Sequence, residues 1–207
     1  MWCNTLDTRV EEVDEIEEDV YTKYKKHMII WETVGLAAIF GIGALWHYIY
    51  EWLPWKPYAW LFPINESVWE HVKMLIWPSV ILFIVQYFVI GKKFNKFIIA
   101  KTEGLFAGVL ALFSFWYTLQ GAFGASGLWF GISNFLFAVC VQQVTSYIII
   151  TIRSELDEKL KMILNIVSLV AVGLLLVAVI VITYVQPAFP IFYDTANAVY
   201  GFVPTYG

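Results

Sequence analysis

Polarity along the chain falls into two regimes. Between residues 6 and 24, Leu6, Val10, Val13, Ile16, Val20 and Tyr24 recur at steps of three and four, with Glu11, Glu12, Glu15, Glu18 and Asp19 between them. That is the period of an amphipathic helix. Five long apolar runs follow, at 28–50, 74–91, 104–123, 128–152 and 162–184. Each reaches or exceeds the roughly 18 to 20 residues that cross a ~30 Å hydrocarbon core at about 1.5 Å per residue. Their near absence of charge argues against buried helices of a soluble domain, and no alternating pattern of about ten residues points to a membrane barrel. The pattern predicts an all-α, polytopic bundle of five transmembrane helices. The second run holds Pro78, which cannot donate to the carbonyl of Met74, so a kink is expected there.

Composition narrows the class further. The 207 residues are 60% hydrophobic, 18% aromatic and only 14% charged, against about 25% charged in an ordinary soluble domain. Disorder and nucleic-acid binding fit such a chain poorly, whereas membrane lipid is an implied partner. Cys3 and Cys140 form no spacing that suggests a disulfide framework or a metal knuckle. The net charge of −4 is localised: residues 1–27 hold eight acids and four bases, while the remainder holds nine of each. The first segment lacks the charged-then-apolar-then-small order of a secretory signal and is expected to be retained. An acidic stripe is repelled by an anionic leaflet, so residues 6–24 either pack on protein, including a protein partner, or form a solvated helix leading into the membrane.

Lysine and arginine set the expected orientation. Lys23, Lys25 and Lys26 precede the first run, Lys92, Lys93, Lys96 and Lys101 separate the second from the third, and Arg153, Lys159 and Lys161 separate the fourth from the fifth. The opposite connections hold only Lys56 and Lys73, and the tail has no base. The expected layout is a cytoplasmic acidic helix over 1–27, a transmembrane domain over 28–186 and an extracytoplasmic tail over 187–207, N-in and C-out, in the cell membrane. Three pairs of small residues four apart, Gly104 and Gly108, Gly127 and Gly131, Ala37 and Gly41, are candidates for close helix contact. Gln142, Gln143, Thr145 and Ser146 form a polar band in the fourth run, suited to interhelical hydrogen bonds or to a wet path.

Once orientation is assigned, the remaining polar residues gather on the outer side. His47 and Glu51 stand four apart at the end of the first run, on one helical face. The segment Pro63-Ile64-Asn65-Glu66-Ser67-Val68-Trp69-Glu70-His71-Val72-Lys73 leads into the second. Asn65 is the expected N-cap, with Glu66 in the first turn near the positive end of the helix dipole. Asp194 falls in the tail on the same side. Imidazole and carboxylate are suitable ligands for zinc, iron or manganese. His47, Glu51, His71 and Asp194 are therefore candidate metal ligands, with Glu66 and Glu70 as candidate general bases and Ser67, in phase with His71, as a weaker candidate nucleophile. The structural alternative is that Asn65 and Glu66 cap the helix, Glu70 and Lys73 form a three-apart ion pair, and His71 and the Trp residues sit in the interfacial belt. The density of ionisable groups near membrane depth, where they are costly, favours a site.

His47-x-x-Tyr50-Glu51-Trp52, then Pro63-x-Asn65-Glu66-Ser67-x-Trp69-Glu70-His71-x-Lys73 with Trp77-Pro78 behind it, resembles an uncharacterised family of small prokaryotic multi-pass membrane proteins, a domain of unknown function. Pro187-x-x-Pro190-Ile191-Phe192-x-Asp194, closing on Tyr200-Gly201, is similar to that family's C-terminal pattern. The resemblance implies a shared fold and a shared outer-face site, and no particular activity. It departs at Ala188, where the family pattern leads one to expect His.

Three functions compete at this stage. A metal-assisted hydrolase of a lipid or lipid-linked substrate would use a divalent metal such as zinc to lower the pKa of a bound water. A non-catalytic accessory subunit would dock through the N-terminal helix. A haem-binding electron carrier would use His47 and His71 as axial ligands. Transport is disfavoured because five spans do not divide into two equal repeats and no midplane charge is evident. The second helix is expected to extend outward to Asn65, with the tail from Gln186 folding back over residues 66–71.

Overall fold

In the computed structural model of the chain, residues 2–152 and 156–204 are described, with side chains from Tyr24 onward. The apolar stripe from Leu6 to Val20 and the base at Arg153 lie outside the residues described at this level. Five α-helices carry the fold: α1 (Trp2–Trp52), α2 (Val68–Val89), α3 (Phe97–Phe123), α4 (Leu128–Thr151) and α5 (Glu158–Tyr184). Each contains a stretch long and apolar enough to cross a membrane, that of α1 running from Tyr24 to Trp52. The chain is a multi-pass membrane protein.

Helix α3 packs most extensively on α4, α1 lies against α2 and α4, and α5 leans mainly on α3. The shared core is Ile39, Val72, Leu75, Ile76, Leu105, Leu112, Ala138, Val139 and Val179, all fully buried. Helix α5 contributes least to it; Leu169, Val170, Leu174, Val177 and Val181 face outward, as lipid-facing residues of the most apolar span should.

The expected starts shift in two helices. Helix α2 starts at Val68, six residues before the apolar run at 74–91 and three after the expected cap; its N-cap is Ser67, whose Oγ accepts from Glu70 N–H at 3.4 Å. Asn65 lies in the bend ahead of the helix, its Oδ1 accepting from Ser67 N–H at 2.9 Å. Helix α3 starts at Phe97, so Lys101 is a buried helical residue and not a base of the connecting loop. Its Nζ donates to Glu32 Oε1 at 2.6 Å across to α1. A buried charge pair thus lies inside the spanning segments, where the sequence leads one to expect Lys101 in a connecting loop. The amphipathic period failed to reveal it because a single Glu in a run of mean hydropathy 1.9 leaves the run apolar on average.

Glycine contacts also differ from expectation. Gly104 and Gly108 do let α3 approach α4: an added Cβ would lie 2.7 Å from Gln142 O and 3.1 Å from Ala138 O. Gly127, Gly131 and Gly41 meet nothing within 4 Å. Gly43 is used instead. A Cβ there would fall 2.5 Å from Phe135 Cζ and 2.8 Å from Met74 O, the carbonyl left without its i+4 donor by Pro78.

The connection between α1 and α2 is tied down residue by residue. Trp46 Nε1 donates to Leu61 O at 2.7 Å, Trp77 Nε1 to Trp60 O at 3.1 Å, and Lys73 Nζ to the carbonyls of Ala59 and Phe62, both at 3.1 Å. Beyond α5 the tail turns back as a small hairpin, β1 (Tyr193–Asp194) antiparallel to β2 (Val199–Tyr200). Phe202 packs among Tyr50, Ala59 and Ile64, and Phe192 meets Trp69 edge-on at 5.4 Å. The tail therefore covers the N-terminal end of α2, as its lack of a spanning run and its aromatic content foreshadow.

Candidate metal centre

Three side chains from two elements and a loop converge at the tail end of the bundle. His47 projects from the last turns of α1, His71 from the first turn of α2, and Glu66 from the bend just before Ser67. Glu66 Oε2 lies 3.4 Å from His47 Nε2 and 3.6 Å from His71 Nε2. The three ligand atoms are all within 4.8 Å of one another. The site is neither sealed nor free: the side chains are 21%, 37% and 18% exposed for His47, Glu66 and His71.

The surroundings fix this geometry. His71 Nδ1 sits 2.8 Å from Ser67 O; a carbonyl only accepts, so Nδ1 carries the proton and Nε2 turns toward Glu66 with a lone pair. That is the orientation a backbone carbonyl imposes on metal-binding imidazoles. A neutral His71 then presents one acceptor to another at 3.6 Å. Such a facing pair is stable only with a cation between them, either a proton on Nε2 or a metal ion.

Glu66 is positioned through its backbone: its N–H donates to Asp194 Oδ2 at 3.0 Å. Asp194 in turn accepts from Ala196 N–H at 2.8 Å, Asn197 N–H at 3.0 Å and Asn197 Nδ2 at 2.8 Å. Burial pushes the Asp194 carboxyl up, but the Asn197 side chain and the backbone donors of Glu66, Asn197 and Ala196 outweigh it and hold it below its ordinary value. Burial likewise pushes Glu66 up, and is outweighed by the hydrogen bond to His47 and the charges of His71 and His47, with a net shift downward. Both carboxyls are thus held ionised.

The residues singled out in the sequence divide accordingly. His47 and His71 come together, and Glu66, read there as a base, joins them as the third ligand-bearing group. Glu51 stays outside the triad yet lines the same small cleft, with His47, Pro63, Asn65 and Glu66. Asp194 is a step removed, organising the Glu66 backbone. Ser67 Oγ is spent on the helix cap. Glu70 is fully buried and saturated: Oε2 accepts from Lys73 Nζ at 2.5 Å and Ile64 N–H at 3.0 Å, and Oε1 from Gln186 Nε2 at 2.9 Å. The three-apart ion pair with Lys73 is therefore present. Asn65 clamps the tail, donating from Nδ2 to Gly201 O at 2.7 Å and Gln186 Oε1 at 3.3 Å. Gln186, which sequence reasoning passed over, joins Glu70, Asn65 and Gly201 N–H; a lone Gln after an apolar run carries no signal of such a role.

His47 and His71 rings meet edge-on at 5.1 Å between centroids, with the Glu66 carboxylate against both Nε2 atoms. Ala188 sits in the bend after α5.

No curated protein and no solved structure matches the chain. A family described as of unknown function, DUF6512, matches residues 20–202. That match takes in every helix from the spanning part of α1 to the tail hairpin, and with it the whole His47–Glu66–His71 cluster, so the chain belongs to the DUF6512 family.

Proposed function

We propose that His47, Glu66 and His71 bind a divalent metal such as zinc, and that the protein is a metal-assisted hydrolase of a lipid or lipid-linked substrate. The observation that carries the reading is the pair of Nε2 to Oε2 separations, 3.4 and 3.6 Å. Tetrahedral ligands about 2.0–2.1 Å from zinc lie roughly 3.3–3.4 Å apart, so both His–Glu separations are already close to those of such a site. Two imidazoles and one carboxylate leave a fourth position for water, as catalytic zinc sites require. A metal there lowers the pKa of that water and supplies the nucleophile.

With Glu66 in the ligand set and Glu70 locked to Lys73, Glu51 is the carboxylate of the cleft left to take the proton. A lipid substrate fits the setting: Tyr48 stacks on His47 at 5.0 Å and on Trp52 at 6.0 Å, and Tyr48 and Trp52 are both exposed. They form an aromatic border of the kind found at headgroup depth. The lysines at the other end, Lys92, Lys93, Lys96 and Lys161, support a cytoplasmic assignment for that end, which makes the metal cluster extracytoplasmic in the cell membrane.

Elemental analysis of protein purified without chelator tests the reading. Near-stoichiometric zinc or another divalent metal is expected in the wild type and in Glu51→Gln, with loss in His47→Ala and His71→Ala; wild-type protein that neither retains nor takes up metal overturns it. A second reading, an accessory subunit docking through residues 6–24, draws support from the unbroken course of α1 back to Trp2. Co-purification of identical partners after deletion of that segment would count against it.

A further inference from the structure

A second polar centre lies at the other end of the bundle, unconnected to the metal cluster. Glu32 on α1 is 6% exposed, and its Oε1 accepts from Lys101 Nζ at 2.6 Å and Ser146 Oγ at 2.9 Å. Gln143 on α4 donates from Nε2 to the Glu32 backbone carbonyl at 3.1 Å, and Gln86 on α2 donates to the adjacent carbonyl of Trp31 at 3.1 Å. Gln142, next to Gln143, donates to Ser79 Oγ on α2 at 2.7 Å.

Glu32 and the three glutamines each have one polar atom bonded and one acceptor oxygen idle. Glu32 Oε2, Gln86 Oε1, Gln142 Oε1 and Gln143 Oε1 are each buried, and no donor among the described residues reaches them. The residues that carry them are 0–6% exposed. A single orphaned oxygen is a tolerable defect. Four on three neighbouring helices, three of them joined through the Trp31–Glu32 backbone, form a built acceptor surface. Glycine makes it possible: a Cβ at Gly35 would lie 2.2 Å from Gln143 Nε2, so only a bare backbone lets that amide reach Glu32.

The chemistry of the missing donor is narrow. A metal ion would face the Lys101 ammonium already bonded to the same carboxylate, so the pair is charge-compensated before any ligand arrives. The groups call for a small neutral molecule rich in O–H or N–H donors. Buried water meets this need, because it donates two hydrogen bonds and is held where at least two polar partners converge. We infer that the polar region where α1, α2 and α4 meet, bordered at Gln142 by Gly108 of α3, is hydrated, with water molecules donating to Glu32 Oε2 and to the side-chain oxygens of Gln86, Gln142 and Gln143. Lys101 also lines a lateral apolar groove of about 400 Å³ between α2, α3 and α5, so this hydrated charge pair sits one side chain away from the lipid-facing surface.

Water-edited solid-state NMR on the full chain in bilayers tests this directly. Magnetisation transferred from water to the side-chain amides of Gln86, Gln142 and Gln143 is expected to build up several-fold faster than to the backbone amides of Leu105 and Leu112, which are fully buried in the apolar core. Replacing Gln142 by Leu should remove its own signal and reduce the transfer rate at Gln143 by about half. Build-up at the three Gln amides as slow as at Leu105 and Leu112 in the wild type would overturn the inference, whatever the variant does.

Discussion

The ion pair between Lys73 and Glu70 gives a sharp test of how the tail end of the bundle is held. Both side chains have no exposed surface, and their atoms meet at 2.5 Å. Lys73 also donates to the carbonyls of Ala59 and Phe62, so its three N–H groups anchor the α1–α2 connection. Lys73→Met keeps most of the volume and removes the charge, which leaves Glu70 ionised, buried and short of its main partner. Breaking a buried pair in this way costs about 3–5 kcal/mol. For a chain of this length, with roughly 2–4 °C lost per kcal/mol, the melting temperature should fall by about 6–20 °C. Glu70→Gln in the same background removes the orphaned charge while keeping an acceptor for Ile64 N–H, so the double variant should be more stable than Lys73→Met alone. Thermal unfolding of detergent-solubilised protein, followed by tryptophan fluorescence, reads both numbers. A loss under about 1 kcal/mol for Lys73→Met, or strictly additive losses in the double variant, would refute the argument.

Two further outcomes follow from the same structure. Gly43→Ala forces a Cβ against Phe135 and the Met74 carbonyl, so overpacking should cost about 1–3 kcal/mol, while Gly41→Ala, which meets nothing, should be near neutral; equal effects in a melting assay would contradict the α1–α2–α4 contact. Glu66 and Asp194 both have carboxyls held below their ordinary values. Their contribution to stability is therefore present above the unfolded pKa of about 4 and lost as pH falls through the lower folded values. Melting curves from pH 7 to pH 3 should show this acid loss, and Asp194→Asn should lower stability at pH 7 while shrinking the acid-dependent part; an undiminished acid transition in that variant removes Asp194 from the explanation.

What was legible in the sequence followed from averaging. Five spans emerge because some twenty consecutive apolar residues outweigh any local error, and the position of each run survives in α1 to α5. Their ends were less legible, since α2 and α3 each begin six or seven residues before their apolar runs, in stretches whose polar groups are satisfied by tertiary partners. Lys73 and Lys101 look like loop lysines in one dimension; Glu70 and Glu32 make them interior residues. The candidate site was partly visible for a similar reason. His47 and His71 could be named as a pair on the same side, but pairing either with Glu66 depends on the tail, where Asp194 fixes the Glu66 backbone from 128 residues away in the chain. No helical spacing encodes that distance. Asn65 illustrates the same point: its type suits a cap, yet its side-chain amide goes to Gly201 and Gln186, and Ser67 takes the cap.

The central claim is that His47, Glu66 and His71 form one metal centre. X-ray absorption at the zinc edge of zinc-loaded protein measures it most directly. The account predicts a four-coordinate shell at about 2.0–2.1 Å with two imidazole nitrogens and the remainder oxygen, and loss of one imidazole contribution in His71→Ala. A spectrum with six oxygen ligands and no imidazole scattering, or one that His71→Ala leaves unchanged, would contradict it.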